Sequence, residues 1–178
     1  TEPGESYRRV FICGHAPGRH EPQCVRRVIE NLARRAYRRP PTREELQPLL
    51  KLAALAQQRG DSLEEGVRVS LHAILMSPNF LFRVERDPTP GGPAYRLTDH
   101  ELASRLSYFL WSSMPDDELS RVADRGELRR PDVLEAHVRR MLQDPKANLA
   151  DNFAAQWFNL RLLDRKKPDP ERFPAFRE

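Results

Sequence analysis

The sequence predicts an all-α fold, with about seven helices in two consecutive helical bundles and a short extended N-terminal lead. Three observations carry that prediction. Apolar residues recur at i, i+3, i+4 and i+7 through most of the chain. A Ser or Thr followed three residues later by Glu stands before three of these runs. Prolines fall at the edges of the runs, where they start or stop a helix. No stretch reads convincingly as a sheet.

Residues 1–21 hold Pro3, Gly4, Gly14, Pro17 and Gly18 around Val10, Phe11 and Ile12, which reads as a lead with one extended segment. Pro22 suits the first position of a helix, and Val25, Val28, Ile29, Leu32, Ala33, Ala36 and Tyr37 form its apolar stripe. Arginine pairs at 26/27, 34/35 and 38/39 lie mainly beside and opposite the stripe, and Pro40-Pro41 ends the helix. Thr42 and Glu45 form a capping box for a second helix, with Leu46, Leu49, Leu50, Ala53 and Ala54 inward and Gly60 near its close. Ser62 and Glu65 repeat the device before a third helix through Val67, Leu71, Ile74, Leu75 and Met76. Ser77-Pro78 stops it, and Phe80, Leu81 and Phe82 are expected to plug the three-helix core.

Three prolines and two glycines within residues 87–96 mark a domain boundary. Beyond it, Thr98 and Glu101 cap a helix through Leu102, Leu106, Phe109 and Leu110. Pro115 begins a short helix through Leu119 and Val122, with Gly126 as its stop. Pro131 begins another, through Leu134, Val138, Met141 and Leu142. Asp144-Pro145 introduces a last one carrying Leu149, Phe153, Trp157 and Leu160, before a proline-rich tail from Pro168. The expected organisation is a lead over 1–21, a three-helix module over 22–86, a linker over 87–96 and a four-helix module over 97–178, truncated at its C-terminus.

Composition narrows the function. The hydrophobic share is 39% and the charged share 31%, enough for a core within a well-solvated surface. No apolar run reaches the length of a membrane span. The net charge of +4 arises from 30 basic and 26 acidic residues mixed along the chain, with only four lysines, so nucleic-acid binding is disfavoured. Cys-x-x-Cys-His, the glycine-rich nucleotide loops, Gly-x-Ser-x-Gly and His-Glu-x-x-His are all missing from the sequence. No catalytic motif remains, and no cofactor is expected within these residues.

Cys13 and Cys24 are separated by a turn-rich loop and most simply form a disulfide, which would contribute roughly 3 kcal/mol. His15 and His20 lie between them, so the loop also contains four potential zinc donors. A single residue between Cys13 and His15 is tighter than usual zinc spacings. The disulfide is therefore preferred over free thiols, and both over a metal. Asp99, His100 and Glu101, like Asp116, Asp117 and Glu118, read as first-turn acids favoured by the helix dipole rather than as acid–base catalysts. His72 reads as a boundary residue, and Trp111 and Trp157 as core residues. If a surface site exists, Arg105, Trp111 and Asp116 are the weak candidates for it.

Arg9-Val10-Phe11-Ile12-Cys13, Leu32 to Pro40 (LARRAYRRP) and Ser77 to Arg83 (SPNFLFR) together resemble a planctomycete-type (PSD) domain of unknown function. Tyr95 to Thr98 and Glu101 to Asp116 (ELASRLSYFLWSSMPD) resemble the domain that usually follows it, here truncated. The resemblance implies a large, exported, multidomain polypeptide associated with c-type cytochrome segments. Any c-type haem would then lie elsewhere in that polypeptide, and the location would be extracytoplasmic, periplasmic or secreted. It also favours the disulfide, since exported proteins meet oxidising conditions. The start at Thr1 and the end just after Phe176 fit a piece of a longer chain. The leading expectation is a non-catalytic helical scaffold or interaction module whose partners are other domains of the same polypeptide. The alternatives are part of an enzyme or redox domain completed by other segments, and nucleic-acid binding through the Arg-rich first helix.

Overall fold

The computed structural model describes residues 4–83, 85, 89, 92–147, 149, 153–160, 169 and 171–172. The described residues are helical and contain no strand. The helices are α1 (Glu5–Val10), α2 (Pro22–Tyr37), α3 (Arg43–Gln58), α4 (Leu63–Met76), α5 (Pro78–Leu81), α6 (Asp99–Trp111), α7 (Asp117–Asp124), α8 (Pro131–Gln143) and α9 (Ala155–Trp157). They fall into two compact units, Thr1–Glu101 and Leu102–Glu178. Parts of the 87–96 linker and of the proline-rich tail lie outside the described residues.

In the first unit, α2, α3 and α4 enclose Val28, Ile29, Ala33, Leu46, Leu49, Ala53, Val67 and Ile74. These residues follow the predicted helical stripes, and Val28, Ile29, Ala33, Ala53 and Ile74 are completely enclosed. Gly66 sets the spacing of α3 and α4. A Cβ there would come within 3.1 Å of the Ala53 carbonyl oxygen and 3.4 Å of its Cβ. The Ser70 hydroxyl, fully buried, lies 2.8 Å from the Leu49 carbonyl and 3.0 Å from that of Gly66, so it has an acceptor whichever way its proton turns. Gly66→Val is expected to force the two helices apart and cost about 1–3 kcal/mol. Gly66→Ala should cost much less, because added helix propensity offsets the strain. Urea midpoints of the two variants check this; equal midpoints would contradict the close approach.

Capping explains where the helices begin. Thr42 Oγ1 accepts from the Glu45 amide at 3.3 Å while Glu45 accepts from the Thr42 amide at 2.8 Å, a complete capping box. The box predicted at Ser62 is half formed. Ser62 Oγ accepts from the Glu65 amide at 3.2 Å, but the Glu65 carboxylate is drawn to Arg68 instead. Thr98 and Glu101 make the reciprocal pair before α6.

The expectations for the lead and for the plug change. The lead contains α1 rather than an extended segment, because Glu5 and Arg9 pair across one turn at 2.6 Å and the described residues offer no strand to receive Val10 to Ile12. Phe11 then turns into the core while Ile12 stays 43% exposed. The proposed plug is partial, with Phe80 packed on the core and Leu81 and Phe82 outside.

The second unit centres on Ala103, Leu110, Trp111, Leu119, Val122, Leu128 and Met141. Asp116 caps α7 by accepting from the Leu119 amide at 2.8 Å, and Gly126, at φ +67°, supplies the left-handed residue that closes it. Phe109, expected inward, is 47% exposed and meets Phe153 edge-on.

Candidate metal centre

The loop between α1 and α2 brings Cys13, His15, His20 and Cys24 together, with one donor atom from each lying within 4.8 Å of all the others. Gly14 and Gly18, at φ +78° and +72°, curl the loop through left-handed backbone that other residues avoid. The first turn of α2 then places Cys24, which is 1% exposed.

The disulfide is corrected by this geometry. Both cysteines are free, and each sulfur faces an imidazole nitrogen rather than bonding to the other. Cys13 Sγ lies 3.2 Å from His20 Nδ1, and Cys24 Sγ lies 3.1 Å from His15 Nδ1. Burial, followed by the adjacent Cys13 thiol, pushes the Cys24 thiol above its ordinary pKa.

The outer nitrogens of both rings meet oxygen groups. His20 Nε2 is 2.5 Å from Tyr7 Oη and 3.5 Å from Glu64 Oε1, and His15 Nε2 is 3.9 Å from Glu21 Oε1. Phe11 stacks on the His20 ring at 4.9 Å, and the His20 side chain is only 1% exposed. Glu64, on α4, also accepts from the Gly18 amide at 2.6 Å. Its burial raises the carboxyl pKa, but that hydrogen bond and the local helix contacts outweigh it and leave the pKa lowered. The loop is thus tied to α4 as well as to α2.

The other candidate residues have structural surroundings. Trp111 is buried, and its Nε1–H donates to the Met141 carbonyl at 3.0 Å. Arg140 reaches both Trp111, at 5.7 Å from the ring, and Asp116, at 2.7 Å from Oδ2. Arg105 is exposed on α6. Burial raises the Asp116 pKa, yet Arg140 and the Leu119 amide outweigh it and hold it below the ordinary value. Folded-state lowering means this carboxylate stabilises the unit above its unfolded pKa of about 3.9 and ceases to do so as pH falls through the lower folded value. Asp116→Asn is therefore expected to narrow the difference in urea midpoint between pH 7 and pH 3. An unchanged difference would remove Asp116 from the acid response.

Of the arginine pairs, 38/39 is occupied internally. Arg38 sits at φ 58° just after α2 and donates to the carbonyls of Asn79, at 3.2 Å, and Phe80, at 2.9 Å. Arg39 binds both Glu45 oxygens at 2.8 and 2.6 Å, and Glu45 accepts from Asn79 at 3.0 Å. Residues from LARRAYRRP and SPNFLFR, far apart in sequence, therefore meet at one junction. His72 is exposed, Trp157 is 70% exposed rather than core, and Asp99 is buried at the start of α6.

Residues 24–85 match the family PSD5, protein of unknown function (DUF1595), and residues 97–178 match PSD4, protein of unknown function (DUF1592). The chain carries two adjacent PSD domains. The PSD5 match begins at Cys24, so Cys13, His15 and His20 precede it, while the Arg38/Arg39 junction with Asn79 and Phe80 lies within it. Helices α6, α7 and α8 fall within the PSD4 match. No curated protein and no solved structure matches the chain.

The four donors are visible in the sequence, but the single residue between Cys13 and His15 counts against a metal only if the loop has the shape of the usual zinc loops. Cys-x-His-x4-His-x3-Cys looks too tight when extended, and two left-handed glycines make it converge. The signal in the sequence is Gly14 and Gly18 among two histidines that lie between the two cysteines.

Proposed function

We propose that the two PSD domains form a non-catalytic helical scaffold or interaction module of a larger extracytoplasmic, cytochrome-c-associated protein. One observation carries the proposal: polar groups that meet inside each unit serve its own helices, while large apolar side chains point outward. Asp116 caps α7 and binds Arg140, Glu101 caps α6, and Glu45 joins Arg39, Thr42 and Asn79. Against this, Met76 is 77% exposed, and Leu81, Phe82, Trp157 and Phe158 are each 60% exposed or more.

Scattered exposed apolar residues are ordinary, but these gather at the α4–α5 junction in one unit and around α9 in the other. Such surfaces suit contact with neighbouring segments of the same polypeptide. No described helix is long and apolar enough to cross a membrane. The extracytoplasmic and cytochrome context is supported by the resemblance of the signature strings to domains of exported proteins. Its test is the visible absorption spectrum of the larger polypeptide and of this chain, before and after dithionite. Reduced c-haem bands in the larger polypeptide alone are expected. A spectrum without haem in both would contradict the cytochrome association.

A further inference from the structure

The Cys/His cluster is not explained by a helical scaffold, since capping and packing need neither two thiols nor two imidazoles at one point. We propose that Cys13, His15, His20 and Cys24 bind one zinc ion as a closed structural site. Tetrahedral zinc holds sulfur at about 2.3 Å and imidazole nitrogen at about 2.0–2.1 Å, so its donors stand roughly 3.3–3.8 Å apart. The two sulfur–nitrogen pairs already lie 3.1 and 3.2 Å apart, and no pair in the cluster exceeds 4.8 Å. Modest side-chain adjustment closes the remaining gap.

The orientation of the rings points the same way. Each histidine turns Nδ1 toward a sulfur and Nε2 toward an acceptor oxygen: Tyr7 and Glu64 for His20, Glu21 for His15. A zinc-bound imidazole commonly donates its other N–H to a carboxylate or similar acceptor, which fixes the tautomer and strengthens the ligand. His20 meets that requirement through Tyr7 Oη at 2.5 Å, and on His15 the Glu21 carboxylate stands on the outer side of the ring at 3.9 Å. The His20 ring is further held by stacking on Phe11.

Two sulfurs and two nitrogens in a tetrahedral set favour zinc among the divalent ions. Binding forms two Zn–S and two Zn–N bonds and releases the two thiol protons to solvent, leaving an uncharged unit of Zn²⁺ and two thiolates. All four positions are filled by the protein, so the ion would have no open place for substrate. Its role is to fasten the loop after α1 to the first turn of α2, with Glu64 linking the loop to α4.

The test uses the whole 178-residue chain, prepared with a non-chelating reductant, equilibrated with zinc chloride and examined by native mass spectrometry. One zinc per chain is expected, with the two thiols protected from alkylation until a chelator removes the metal. Cobalt in place of zinc should give tetrahedral ligand-field bands and thiolate charge-transfer absorption. Cys24→Ser and His20→Gln should each abolish stoichiometric zinc while retaining helical circular dichroism. Glu64→Gln leaves all four donors in place and should weaken binding about 10- to 100-fold. The proposal is overturned if the reduced chain takes up no zinc and its thiols alkylate freely in zinc excess. It is equally overturned if zinc remains stoichiometric in a variant with both cysteines changed to serine, or if the chain isolated without reductant carries a Cys13–Cys24 disulfide.

Discussion

Trp111→Ala should destabilise the second unit by about 3–5 kcal/mol, the range for removing a large aromatic side chain from a packed interior. Trp111 is 6% exposed within the cluster of Leu110, Leu119 and Met141. Its indole N–H also donates to the Met141 carbonyl near the end of α8 at 3.0 Å, a carbonyl that the Asp144 amide reaches at 3.4 Å. Arg140 and Lys146 lie over the ring at 5.7 and 5.5 Å, so the aromatic face adds an attraction that alanine lacks. Amide hydrogen exchange in α7 and α8 should accelerate by roughly two to four orders of magnitude if those amides exchange through unfolding of the unit. Unchanged exchange would show that the unit does not depend on this residue.

Glu45→Ala has the second large expected effect, about 3 kcal/mol for breaking a largely enclosed charge pair together with a helix cap. The side chains of Arg39 and Glu45 are 27% and 17% exposed, so solvent screens the pair only in part. The substitution removes acceptors from Arg39, from the Thr42 amide and from Asn79 at once. Glu45→Gln keeps the shape but not the charge and should fall between the two. Urea unfolding followed by circular dichroism would order the three proteins. A midpoint for Glu45→Ala equal to that of the unaltered chain would contradict the junction's structural role.

The same residues show why much of the fold was legible. The boundaries of α2 and α3 follow from local chemistry: Pro22 at the start, Pro40-Pro41 at the break, and a Thr42/Glu45 box that closes as expected. The Ser62 box was legible only by half, because Arg68 competes for Glu65 within one turn of the same helix. Phe82 and Phe109 were assigned inward from apolarity, but periodicity cannot tell which edge of a stripe lacks a neighbour. Nor could spacing reveal that Arg38 and Arg39 reach back to Asn79 and Phe80, some forty residues away.

The candidate metal centre was half legible. Its four residues were visible as donors, while their convergence depended on the backbone conformations of Gly14 and Gly18. The preference for a disulfide rests on the single residue between Cys13 and His15, a spacing that rules against zinc only in an extended loop. The fold instead gives each sulfur an imidazole neighbour.

The scaffold proposal is tested most directly by hydroxyl-radical footprinting of the larger polypeptide beside the 178-residue chain alone. Met76 and Trp157, 77% and 70% exposed, should react readily in the chain alone and be protected in the larger polypeptide. Equal reactivity of both residues in the two proteins would contradict the claim that these faces carry neighbouring domains.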